Sequence, residues 1–147
     1  MKRRITVLVV ALAAVVATAT PAQAAPQRPR TTSFVAFMNG HNEVPAADQD
    51  ATGLALLSLK SNRQLCWVLI TRKVDGTVTA AHIHAGAAGK NGPVVVALSR
   101  WPGCTSVSRK LARALREHPD WFYANVHSTA FPNGALRGQL MKADSSH

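Results

Sequence analysis

Residues 82–94 read His82-Ile83-His84-Ala85-Gly86-Ala87-Ala88-Gly89-Lys90-Asn91-Gly92-Pro93-Val94. Within a dozen positions this stretch joins two histidines at strand spacing, a glycine-rich turn and the start of a second strand. Side chains two apart on a strand point to one face, so His82 and His84 can present two imidazoles to one ion, with the glycine loop folded close over them. With six histidines in 147 residues, about 0.24 such pairs arise by chance. The spacing alone is therefore a weak motif, and its specificity must come from the flanking residues.

Outward from this hairpin the chain alternates short apolar runs with polar segments. Ser33 to Met38, Thr52 to Leu59 and Leu65 to Ile70 precede it. Thr77 to His84, Val94 to Ser99, Trp121 to His127 and Gly134 to Met141 complete the set, the last with Gly138 as an expected bend or bulge. Their length and their β-branched and aromatic content are those of strands. The pattern predicts an all-β domain, an antiparallel β-sandwich or Greek-key barrel of about seven strands. One short surface helix interrupts it. From Ser108 to His118, Leu111 and Leu115 share a face opposite Arg109, Arg113 and Arg116, Ser108 suits the N-cap, and Pro119 stops the helix. The arginine stripe reads first as the solvated side and, more weakly, as an anion-binding face.

The two ends predict where the chain works. Lys2-Arg3-Arg4, an apolar stretch from Ile5 to Ala19 and Ala22-Gln23-Ala24 form a secretory signal pattern over residues 1–24, cleaved near Ala24. The apolar run is shorter than the roughly 20 residues that a membrane span needs. Residues 25–32 are expected to be a disordered lead, residues 33–141 the domain, and residues 142–147 a frayed tail, which excludes His147 from any site. In a secreted chain Cys66 and Cys104 are expected to form one disulfide. Cleavage removes three basic residues from 17, leaving 14 against 7 acidic and a net charge of +7. That balance favours anionic partners, a cell-envelope polymer or a membrane surface. No nucleic acid is expected, because neither a reading motif nor a stacking platform is present.

Four motifs in order carry a family resemblance: Asn42-Glu43-Val44-Pro45; Ala51-Thr52-Gly53; Ala81-His82-Ile83-His84 through Val94; and Asn125-Val126-His127-Ser128 through Gln139-Leu140. Together they resemble the CHRD domain family, named after chordin, over about residues 33–141. Ala46 stands where the family often has a second proline, and Ser128 where it often has threonine. The resemblance implies an all-β extracellular domain of largely unassigned biochemical role. It brings no established substrate or cofactor, and chordin's growth-factor binding belongs to separate cysteine-rich modules.

The chemistry therefore turns on the histidines. In both histidine-bearing strands the apolar set alternates against them, so His82, His84 and His127 lie outside the core, where a loop can cover them. Three neutral imidazoles suit copper or zinc and leave a coordination position open. His41 offers a weaker fourth ligand if the Asn39 to Pro45 loop folds over the sheet. The arrangement also resembles copper-zinc superoxide dismutase, although the flanking sequence does not match, and no bridging histidine or acidic zinc ligand is identified. The competing reading makes the three histidines hydrogen-bonded fasteners for the Gly86 to Gly92 and Pro132 to Gly134 loops. Glu43 reads as a surface turn residue or a partner for arginine, and Arg137, on a later strand, is one arginine that could meet it. His118 is expected to end the helix. No catalytic constellation is identified. The expected role is a non-catalytic extracellular binding or structural module, acting as a monomer, with a copper or zinc protein as the alternative.

Overall fold

The computed structural model describes residues 31–143; the signal pattern of residues 1–24, most of the expected lead and residues 144–147 lie outside them. The apolar runs form strands β1 (Thr32–Asn39), β2 (Thr52–Leu59), β3 (Gln64–Arg72), β4 (Val78–Ala85) and β5 (Val94–Leu98). Strands β6 (Gly103–Ser106), β7 (Phe122–Ser128), β8 (Leu136–Gln139) and β9 (Met141–Lys142) follow. Helix α1 (Arg109–Glu117) lies between β6 and β7, capped by the Ser108 side chain, which accepts from the Leu111 amide at 3.1 Å.

All pairings are antiparallel, and they build one sheet in the order β5-β4-β7-β8-β1-β2-β3-β6, with β9 beside β1. The sheet wraps around a single core. Phe34, Ala36, Met38, Leu57, Leu59 and Leu65 from one half meet Ile83, Val96, Leu98, Val126 and Leu136 from the other, all buried. Helix α1 closes one end with Ala112 and Leu115. Its leucines point inward because they recur every four residues, as the amphipathic pattern predicts. No described helix is long and apolar enough to cross a membrane.

The edge strands β5 and β6 nearly close the ring, since only four residues separate them in the chain. The Trp67 indole fastens this connection, donating to the carbonyls of Ser99 at 3.0 Å and Trp101 at 3.1 Å. Gly103 is required there, because a Cβ would stand 2.7 Å from the Trp67 ring. Cys66 and Cys104 sit directly opposite each other on β3 and β6 and form the expected disulfide.

The expected seven strands become nine. Strand β6 escapes an apolar pattern because Gly-Cys-Thr-Ser has no hydrophobic alternation, and its place is set by pairing and by the disulfide. The single strand expected over Gly134 to Met141 divides at Leu140, just beyond Gly138: β8 pairs with β7 and, at Arg137, with β1, whereas β9 pairs with β1 alone. Strand pairing also takes in Thr32 from the expected lead and Lys142 from the expected tail, which partner Leu59 and Phe34.

The cysteines are 38 residues apart. Replacing both by serine should lower the unfolding free energy by about 4 kcal/mol through loop entropy, measured by urea denaturation under oxidising conditions. A loss below about 1 kcal/mol would mean that the bond adds little to the pairing of β6.

Candidate metal centre

Strands β4 and β7 lie side by side, and their register decides what meets on the outer face. Ala80 stands opposite His127, His82 opposite Asn125, and His84 opposite Tyr123. Ala81 and Ile83 turn into the core, as do Ala124 and Val126. The alternation therefore sends all three histidines outward, as expected. A register shift in the β4–β5 ladder falls between Ile83 and His84, and such bulges re-aim the side chain beside them. His82, His84 and His127 are each half-buried, and one potential ligand atom from each lies within 4.8 Å of the other two.

Backbone carbonyls fix two of the rings. His84 Nδ1 stands 2.8 Å from the Gly92 carbonyl, and His127 Nδ1 stands 2.9 Å from the Pro132 carbonyl. A carbonyl only accepts, so each Nδ1 carries a proton, and in the neutral ring each Nε2 presents a bare lone pair. The His84 Nε2 lone pair is buried and has no partner. The His127 Nε2 stands 3.1 Å from His82 Nδ1. That spacing serves a hydrogen bond and also approaches the separation of about 3.3 Å between two nitrogens on a tetrahedral ion with bonds near 2.05 Å. Ring N–H groups held by carbonyls are the outer-shell pattern of metal-bound histidines, which fixes the tautomer and the ring orientation.

Around this cluster a polar network holds the covering loops. The Arg137 guanidinium meets Glu43 Oε2 at 2.9 Å, both side chains buried. It also donates to the Lys90 carbonyl at 3.2 Å and to Asn91 Oδ1 at 2.6 Å. Asn125 donates from Nδ2 to Glu43 Oε1 at 2.6 Å. Asn42 donates to the Arg137 carbonyl and Asn91 to the Val44 carbonyl. The Tyr123 ring is stacked on His84, with centroids 4.8 Å apart, and carries Arg137 at 4.1 Å from its centroid. Gly134, at φ +134, passes so near that a Cβ would stand 2.7 Å from Glu43 Oε1.

Glu43 is thus a buried partner of Arg137, not a surface turn residue. The loop that carries it does fold over the sheet, but it turns Glu43 inward and leaves His41 exposed. His41 is absent from the ligand cluster, which corrects the expectation of a fourth imidazole. No carboxylate joins the three histidines among the described residues. His118 is the C-cap of α1 and stacks on Trp121. Arg109, Arg113 and Arg116 line a separate crevice between α1 and the β2–β3 turn. The sequence reading gave no part to Tyr123 or Asn125, although each shares the outward face of its strand with His127.

Burial first, and then the neighbouring His127 and His84, lower the His82 pKa below its usual 6.5, while proximity of Asn125 acts the other way. Asn125 Oδ1 nevertheless makes no hydrogen bond, so burial governs. His82 is therefore a neutral ligand at neutral pH. Because its folded value lies below the unfolded one, the unfolded chain takes the proton first. The stability of the metal-free protein should hold above about pH 6.5 and fall as the pH drops below it. Thermal unfolding from pH 7.5 to 5.5 should show this decline, less steeply in His82→Ala. A midpoint that rises on acidification would contradict the assignment.

A family model, that of the CHRD domain, matches residues 34–140. Neither the curated proteins nor the solved structures contain a match to this chain. The family match spans all four sequence motifs and every residue of the histidine cluster and its supporting network, and on that extent the chain belongs to the CHRD domain family.

Proposed function

We propose that this chain is exported after cleavage near Ala24 and serves as a non-catalytic binding module for one copper or zinc ion, held by His82, His84 and His127. The observation that carries the reading is the pair of imidazoles whose Nδ1 hydrogens are tied to carbonyls. Their Nε2 atoms are thereby left as acceptors, one of them buried and unpartnered. Fastening the loops uses only the Nδ1 atoms and does not account for the orphaned nitrogen. A buried polar atom without a partner costs about 1–3 kcal/mol, a cost that a metal–nitrogen bond offsets.

For His82 to join as a third ligand through Nδ1, its proton moves to Nε2. The three donors are neutral, so a bound divalent ion keeps its full charge and an open coordination position. Imidazole donors suit both zinc and copper. Glu43 is engaged by Arg137 and Asn125 and is not free to act as a general base, which supports binding over hydrolysis. The signal pattern of residues 1–24 supports export.

A purely structural reading has its own support, since the same two hydrogen bonds pin the Gly92 and Pro132 loops. Metal analysis of untagged protein collected from the medium separates the two. The proposal predicts near-stoichiometric copper or zinc. It also predicts affinity lowered at least about 100-fold in His84→Ala and in His127→Ala. Protein that contains neither ion and takes up neither, with both variants merely less stable, would reduce the histidines to loop fasteners.

A further inference from the structure

The charge of the described domain is concentrated at one end. Lys60 and Arg63 occupy the β2–β3 turn, Arg109, Lys110, Arg113 and Arg116 belong to α1, and Lys142 ends β9. These seven are joined by a single acid on α1, Glu117. The rest of residues 31–143 carries five basic and five acidic side chains, so the whole net charge of +6 belongs to this pole. Packing fixes the arrangement. Ala112 and Leu115 are buried, which holds the arginine side of α1 outward, and Arg116 is tethered to the Lys60 carbonyl at 2.8 Å. The Arg63 carbonyl accepts from the Val107 amide just ahead of the helix. The Arg113–Glu117 pair is exposed and long, at 4.0 Å, and offsets little of the field.

Two crevices open here and share Ser61 and Arg116. One, of about 460 Å³, is lined by Arg63, Arg109 and Arg113, with Glu117 as its one carboxylate; the other, of about 470 Å³, by Thr32 and Lys142. We infer that this pole is a docking groove for a linear polyanion of repeated phosphate groups, through which the exported domain is retained at a polymer-bearing surface. Guanidinium forks match phosphate oxygens in pairs. An arginine-lined crevice that continues through Arg116 into a second one ending at Lys142 suits a thin chain that lies along them, whereas a flat bilayer would touch only the rims. Neither crevice is lined by an aromatic or a large aliphatic side chain. Stacking of nucleobases and insertion among lipid chains therefore have no foothold in them.

The test uses the exported chain, long-chain inorganic polyphosphate as probe, and vesicles containing one-third anionic phospholipid as the competing surface. The inference predicts that the chain binds polyphosphate at low salt with log affinity falling linearly in log salt. It predicts that Arg63→Gln/Arg109→Gln/Arg113→Gln, all exposed positions, weakens binding at least tenfold and flattens the salt slope by about 2, at about 0.7 per phosphate contact. Thermal unfolding confirms that the triple variant is folded. Arg72→Gln/Lys73→Gln, which removes two charges elsewhere, should change affinity less than about twofold. Equal losses in the two variants would reduce the effect to overall charge and overturn the groove. Retention on vesicles without polyphosphate binding, or no polyphosphate binding at low salt, would overturn it as well.

Discussion

The ion pair between Arg137 and Glu43 is the contact on which the outer face of the β4–β7 sheet depends. Two charges buried together recover in attraction little more than they lose in hydration, so such a pair contributes position more than stability. Here the position is that of three loops at once. The turn carrying Glu43 is drawn down onto β8, the Lys90 and Asn91 segment is bonded to the same guanidinium, and Gly134 passes against the carboxylate. Removing either partner would leave a buried charge unanswered, at a cost of about 3–5 kcal/mol, and would release the loops together.

The histidines inherit their geometry from that constraint. The Gly92 carbonyl that orients His84 belongs to the loop held by Arg137, and Tyr123, beneath Arg137, stacks on the His84 ring. Asn125, which answers Glu43, stands in register with His82. Support therefore runs from a buried ion pair through loops to tautomers. That order is expected of a preorganised site, in which the supporting shell fixes the donors before any ligand arrives. The basic pole at α1 draws on none of these contacts. It follows from the amphipathic helix and the adjacent turn, so the two features can vary independently.

Much of this was legible in the chain and some was not, for identifiable reasons. The apolar runs of β1 to β5 and β7 announced themselves because each has one face in a shared core. The outward placement of His82, His84 and His127 followed from strand alternation alone. The disulfide followed from there being two cysteines, and the ends of α1 from Ser108 and Pro119. Strand β6 was hidden because edge strands need no hydrophobic pattern. The division of β8 from β9 was hidden because the loss of one of two pairing partners leaves no mark in composition. His41 was a weaker fourth ligand, conditional on its loop folding over the sheet. The loop did fold there, but the burial of Glu43 decided which residue turned inward, and side-chain direction within a loop has no period from which to read it.

The central claim is that the loops fix His84 and His127 as Nδ1-protonated rings with Nε2 free to bind. Long-range proton–nitrogen NMR of the histidine rings in the metal-free protein, followed by titration with zinc, examines this directly. The account predicts both rings in the Nδ1–H form at pH 7.5 and a shift of each Nε2 resonance that saturates at one equivalent of zinc. Rings found in the Nε2–H form, or Nε2 resonances unmoved by excess zinc, would contradict it.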